Sequence, residues 1–313
     1  MTSRAIARGT LGWAASVAIL AACALALGGR VAAVDASGGL PALAPFAAAM
    51  AIDALANGVL VAAWLAVLAA VGAPLEAHAA GWVWSVSQLA RYTLGSAQIG
   101  GREAVGRRYG LPAWVGAATA LVEIVWSGAI TAALALATAP WWLPGAAGLT
   151  WLAWTAALPA AGLLVGLARP DLPLRFVASA LSRRAGLRRL APGGARLGRA
   201  TAARITGLYA LNSGLRAGAF LLLFSAVGGS VLGEGLRAVG ALALGQLAGW
   251  LAVFAPGGLG AREGVTMLAV APAIGGGPAL TLVAAVRLAE LLGETLFALA
   301  ARLHGGAGEG RGR

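Results

Sequence analysis

Apolar blocks long enough to cross a lipid bilayer follow one another along almost the whole chain, and most of the charge sits in the short intervals between them. A spanning helix needs about 20 mostly apolar residues, each adding about 1.5 Å of rise. Segments 11–27, 45–71, 112–138, 141–167, 205–227 and 278–303 meet that requirement. Of the 313 residues, 60% are hydrophobic and 11% charged, with a mean hydropathy of +0.83. A soluble domain carries roughly a quarter charged residues, so this chain has too little polar surface to coat a water-soluble globule. Soluble enzyme folds, disulfide-framed scaffolds and disordered chains are excluded. The expected class is an all-α polytopic membrane protein forming one membrane domain over 1–313.

Charge distribution sets the expected orientation. The net charge is +12, and every basic residue is arginine. Interval 168–204 holds Arg169, Arg175, Arg183, Arg184, Arg188, Arg189, Arg196, Arg199 and Arg204 against one acid, Asp171. Arginine-rich loops stay on the cytoplasmic side, so this interval is expected there. Nucleic acid is not an expected partner, because no basic stripe with interleaved aromatics exists. Cys23 stands alone in an apolar stretch, and His78 and His304 lie far apart. No disulfide, metal or cofactor is therefore expected. Segment 11–27 follows Arg4 and Arg8, is longer than a typical signal-peptide core and runs into Gly28-Gly29-Arg30; an uncleaved first helix is expected.

Two further blocks are interrupted. Segment 79–99 carries Gln88, Arg91 and Gln98, then meets Gly100-Gly101-Arg102-Glu103 and Arg107-Arg108. Segment 236–254 runs into a glycine-rich stretch, followed by a short apolar piece at 265–274 and Gly275-Gly276-Gly277. Counting crossings away from the cytoplasmic interval places both ends of the first block inside and, with the tail arginines also inside, both ends of the second outside. Each is then expected to enter the bilayer and turn back. Irregular backbone at that depth must be buried in protein or line a wet cavity. The expected architecture is about six transmembrane helices plus two re-entrant broken hairpins, with both termini cytoplasmic.

The interrupted blocks also resemble each other. Gly100-Gly101-Arg102-Glu103-Ala104-Val105 parallels Gly260-Ala261-Arg262-Glu263-Gly264-Val265, with Pro112 preceding Glu123 and Pro278 preceding Glu290. An odd number of crossings separates them, so halves 1–140 and 141–313 read as an inverted repeat, an arrangement that places binding sites at the repeat interface in many transporters.

The stretch Pro256-Gly257-Gly258-Leu259-Gly260-Ala261-Arg262-Glu263-Gly264 resembles the signature of the lysylphosphatidylglycerol synthase transmembrane-domain, or flippase-like, family. Arg91-Tyr92-Thr93-Leu94-Gly95, through Gly101-Arg102 to Gly110-Leu111-Pro112, resembles its first-half motif, with Leu94 where the usual form has proline. The resemblance implies a multi-pass bacterial cell-membrane protein that moves lipid between leaflets, without the aminoacyl-transferase domain that follows in the synthases. It also implies possible partnership with a membrane glycosyltransferase or aminoacyl-transferase.

Charged side chains at membrane depth are costly and default to functional candidates. Arg102 and Arg262 offer planar, permanently charged forks suited to phosphate. Gly257, Gly258 and Gly260 permit close backbone approach, and amides at a broken helix end favour anions. These five residues form the expected lipid-phosphate site. Glu103, Glu123, Glu263, Arg287 and Glu290 form an expected supporting network, with Glu294 on the same helical stripe as Glu290. Arginine–carboxylate pairing and direct ligand binding are both open readings, as is proton coupling through Glu123 or Glu290. Asp53 and Arg216 either line a cavity or pair with each other. No nucleophile–base pair or metal cluster points to catalysis. The expected function is lipid translocation of a phosphate-bearing lipid, phospholipid or polyprenyl-linked; the alternative is a non-catalytic accessory subunit for a lipid-linked glycosyltransferase.

Overall fold

The computed structural model describes residues 40–92, 97–142, 198–252 and 256–306. The expected crossing at 11–27, that at 141–167 beyond its first two residues, and most of the basic interval lie outside them. Among the described residues the structure is all helical: α1 (Leu40–Ala70), α2 (Ala77–Ala90), α3 (Ala97–Gly106), α4 (Ala113–Ala137), α5 (Ala139–Trp142), α6 (Arg199–Ala226), α7 (Val231–Leu251), α8 (Ala261–Ile274) and α9 (Gly276–Gly306), with short 3₁₀ turns at Arg107–Tyr109 and Pro256–Gly258. Three of these described helices, α1, α4 and α6, are long and apolar enough to cross a membrane.

Local chemistry accounts for several boundaries. α4 starts directly after Pro112, which lacks the amide a helix interior would need. Ser230 caps α7, its hydroxyl accepting from the Gly233 amide at 3.2 Å, with Glu234 in the first turn where the helix dipole favours an acid. α6 begins at Arg199 rather than at the edge of the apolar block, so the last residues of the basic interval are helical; arginine and alanine are good helix formers.

Both interrupted blocks are helix–break–helix units whose halves pack on each other, α2 against α3 and α7 against α8. α3 packs in turn on α4, and α8 on α9. α1 and α6 run antiparallel and share a long interface. One apolar cluster at its one end joins Trp64, Leu68, Trp84, Val115, Ile205 and Tyr209. A second, at the other end, joins Phe220, Phe224, Leu242, Val270 and Leu282. Between them, near mid-helix, lie Asp53 and Asn57 on α1, Glu123 on α4, Asn212 and Arg216 on α6, and Arg287, Glu290 and Glu294 on α9. Asp53, Arg287 and Glu294 are each only 3% exposed, whereas Leu55, Leu211, Leu268 and Leu280 are more than half exposed. Charge inside and leucine outside reverses the usual pattern of a soluble protein.

Candidate functional site

Arg102 is brought to Glu123 by a close helix contact. A Cβ on Gly116 of α4 would lie 2.9 Å from the Arg102 carbonyl oxygen and from Glu103 Cα, so only glycine lets α3 sit this near α4. Arg102 donates to Glu123 through both terminal nitrogens, at 2.8 and 3.4 Å, and through Nε to Ser87 Oγ at 3.2 Å. Trp84 Nε1 and Gln88 Nε2 also donate to Glu123, each at 3.0 Å. The guanidinium carbon lies 4.9 Å from the Trp64 ring centroid, a cation–π distance. Arg102 is 1% exposed. A buried pair is tolerable only with such complete hydrogen bonding.

The second break is built differently. Glu263 folds back to accept the Gly260 amide at 2.7 Å, fixing the start of α8. Arg262, one residue earlier, pairs with Glu290 of α9. Glu290 also lies 3.6 Å from Arg216 and 3.7 Å from Arg287. Arg216 pairs with Asp53 at 2.9 Å and donates to Asn57 Oδ1 at 3.0 Å, so the two residues left open in the sequence are partners. Asn212 donates to the Ala56 carbonyl at 3.0 Å, locking α6 to α1 beside them. Arg287 is held more loosely. Its Nη2 donates to the Gly257 carbonyl at 3.1 Å, while its buried Nε has no hydrogen-bond partner among the described residues and stands 3.5 Å from Glu263.

The breaks meet directly. The Gly257 amide donates to the Arg91 carbonyl at 2.8 Å. Gly257 and Gly258 have φ of +60° and +69°, the left-handed region that other residues enter at a cost. A Cβ on Gly258 would lie 2.6 Å from Gly249 Cα. Arg91 pairs with Glu294 and donates to Gln88 Oε1 at 2.8 Å and to the Tyr92 hydroxyl at 3.0 Å. The Tyr92 hydroxyl donates to Glu294 at 3.1 Å, and the guanidinium carbons of Arg91 and Arg287 lie 5.0 and 5.1 Å from its ring centroid.

At this junction is a cavity of about 310 Å³. Its described wall includes Arg91, Arg216, Arg262 and Arg287 but only one acid, Glu123; Asp53, Glu290 and Glu294, which pair with those arginines, do not line it. A cavity lined by arginines whose carboxylates stand behind them can accept an anion by partner exchange, the guanidinium groups being already in place.

The expected phosphate-site residues divide. Gly257, Gly258 and Arg262 line the cavity, whereas Arg102 is closed behind Glu123 and Gly260 lies at the exposed start of α8. Of the supporting set, Glu123 and Arg287 line it, Glu290 stands behind Arg262, and Glu263 caps α8 and faces Arg287. Glu103 pairs with Arg107 at the surface, away from the network. Arg91 was missed as a site residue; its signal was an arginine inside an apolar block, which membrane energetics alone marks out. Among the described residues, no group of three His, Cys, Asp or Glu side chains converges as a metal site would.

Compared with family models, with curated proteins and with solved structures, the chain matches none.

Proposed function

We propose that the chain is a polytopic helical membrane protein whose charged interior serves transport. More particularly, it is a bacterial cell-membrane protein of the flippase-like type, passing a phosphate-bearing lipid headgroup between leaflets. The observation that carries this reading is the arginine-walled cavity at the meeting point of two helix breaks. A lipid phosphate crossing hydrocarbon needs a polar path, and guanidinium forks bind phosphate bidentately.

The proposed topology has six crossings, two re-entrant hairpins in inverted relation, and cytoplasmic termini and basic interval. Arg102 and Arg262, one on each hairpin, both reach a carboxylate near the middle of a long helix. This supports hairpins that enter to mid-depth rather than crossing. The cavity then sits where alternating access requires it, at the interface of two halves. Arg262 lines the cavity while Arg102 is closed on Glu123. In the alternate state the roles exchange, Arg102 releasing Glu123 for the phosphate while Arg262 keeps its pairing with Glu290 and no longer faces the cavity. Neither step makes or breaks a covalent bond.

Reconstitution into phosphatidylcholine vesicles containing fluorescent phosphatidylglycerol tests the reading. Protein-dependent exchange of the label between leaflets is expected, lost in Arg262→Ala and weakened in Arg262→Lys, which keeps the charge but not the fork. Full-rate exchange by well-inserted Arg262→Ala protein rejects the arginine's role. No exchange by well-inserted wild-type protein rejects transport and favours the accessory-subunit reading.

A further inference from the structure

Beyond its arginines, the cavity is walled by a group of uncharged hydrogen-bonding side chains that are left without partners among the described residues. Gln98, Ser127, Thr131, Ser213 and Gln246 line it, and none makes a hydrogen bond among the described residues. They come from α3, α4, α6 and α7, so they surround the space rather than clustering on one helix. Glutamine in an apolar helix normally satisfies its amide on a neighbour, as Gln88 does on Glu123. Leaving two amides and three hydroxyls open costs free energy unless water or a ligand completes them. The half-buried indole of Trp250 completes the wall.

We infer that the headgroup this cavity takes is a phosphate bearing an uncharged, hydroxyl-rich group, a glycerol, inositol or sugar, and not a cationic amine. The inference rests on the transport reading for its lipid and on the wall chemistry for its headgroup. Amides and hydroxyls both donate and accept, which matches alcohols that do the same, and an indole face packs against the C–H face of a polyol. An ammonium group would instead face four arginines with one acid among them. The volume, about 310 Å³, stands at the lower end of the range of about 300–1,000 Å³ for small-molecule sites. It admits a phosphate and one ring-sized polar group while the acyl chains stay in lipid.

Two measurements on the full-length protein separate this inference from the reading beneath it. In detergent, thermal stabilisation is titrated with sn-glycerol 3-phosphate, inositol 1-phosphate, phosphoethanolamine and inorganic phosphate. The hydroxylated phosphates are expected to bind about tenfold more tightly than the other two, the worth of one or two added hydrogen bonds. The double substitution Gln98→Leu/Gln246→Leu is expected to bring that ratio towards one, a change that a merely structural role for the glutamines would not produce. Equal binding of phosphoethanolamine overturns the headgroup assignment, and equal binding of inorganic phosphate reduces the site to a free-phosphate site, which also overturns it. In vesicles, phosphatidylglycerol and phosphatidylinositol are expected to exchange faster than phosphatidylethanolamine or lysyl-phosphatidylglycerol. Hydroxyl-selective binding without any exchange rejects transport and upholds the headgroup class; exchange indifferent to headgroup upholds transport and rejects the class.

Discussion

The amide of Gly257 donates to the carbonyl of Arg91 at 2.8 Å, so the two helix breaks are joined backbone to backbone. That bond satisfies an amide of one break with a carbonyl of the other, and Arg91, Tyr92 and Arg287 gather around the second break. It also ranks the glycines. Gly258→Ala is expected to be the most damaging, because its Cβ would meet Gly249 backbone atoms at 2.6 and 2.8 Å, which no rotamer change relieves. Gly257→Ala comes next, meeting the movable side chains of Tyr92 at 2.9 Å and Arg287 at 3.0 Å. Gly260→Ala has nothing within 4 Å and carries only the strain of φ +84° with ψ −48°, on the order of 1–3 kcal/mol. Thermal unfolding in detergent should reproduce that order; a Gly258→Ala protein as stable as Gly260→Ala would contradict the packing.

Arg102 and Glu123 are expected to act as one structural unit. Removing either leaves the other buried and uncompensated, at a cost of about 3–5 kcal/mol. Arg102→Met/Glu123→Leu is expected to be more stable than at least one of the single variants. Additive losses in this double-mutant cycle would show that the pair is not coupled.

Arg287 makes the complementary case. Its Nε is unpartnered among the described residues and its nearest carboxylate contacts are 3.5 and 3.7 Å. Arg287→Gln is therefore expected to leave unfolding within about 1 kcal/mol of wild type while lowering lipid exchange about tenfold or more. Arg102→Ala is expected to lose stability first. Paired exchange and unfolding measurements distinguish the two roles, and an Arg287→Gln protein with wild-type exchange would remove this residue from the site.

Gly245 brings α7 against α8. A Cβ there would lie 1.9 Å from Thr266 Oγ1 and 2.8 Å from the Arg262 carbonyl oxygen. Gly245→Ala is expected to displace Arg262 and lower both stability and exchange. Thr266→Ala should rescue it only in part, since the carbonyl contact remains. Complete rescue would show that the helix backbones have room to spare.

The proposed inverted arrangement is open to direct mapping. A Cβ at Gly100 or Gly264 meets nothing within 4 Å, so Gly100→Cys and Gly264→Cys are suitable reporters in a Cys23→Ala background. A membrane-impermeant thiol reagent is expected to reach Gly100→Cys from one compartment and Gly264→Cys from the other. Labelling of both from a single compartment would reject the mirrored hairpins.

Much of the helical framework was legible in the residues. Apolar length is a local property, and α1 and α4 fall close to the blocks at 45–71 and 112–138. The interruptions were legible too. α2 ends at Ala90 beside Arg91, and α7 ends at Leu251 before the glycine-rich stretch, because charge, proline and consecutive glycines locally oppose a continuous apolar helix. What composition could not decide was partnership. Arg102 and Arg262 occupy parallel motifs, yet one is closed on Glu123 with four further side-chain groups around it, and the other lines a cavity with Glu290 behind it. Glu103 and Glu263 are likewise parallel, but one pairs at the surface and the other caps α8 and faces Arg287. Those outcomes depend on how near each pair of helices approaches, set at Gly116, Gly245 and Gly258 by atoms distant in the chain or across a turn. The amino-acid sequence alone thus determined a helical chain with segments long and apolar enough to span a bilayer, broken at two arginine-bearing places. Tertiary packing decided which charges neutralise each other and which face an open space, because ion pairing is settled within a few ångströms and hydropathy is not.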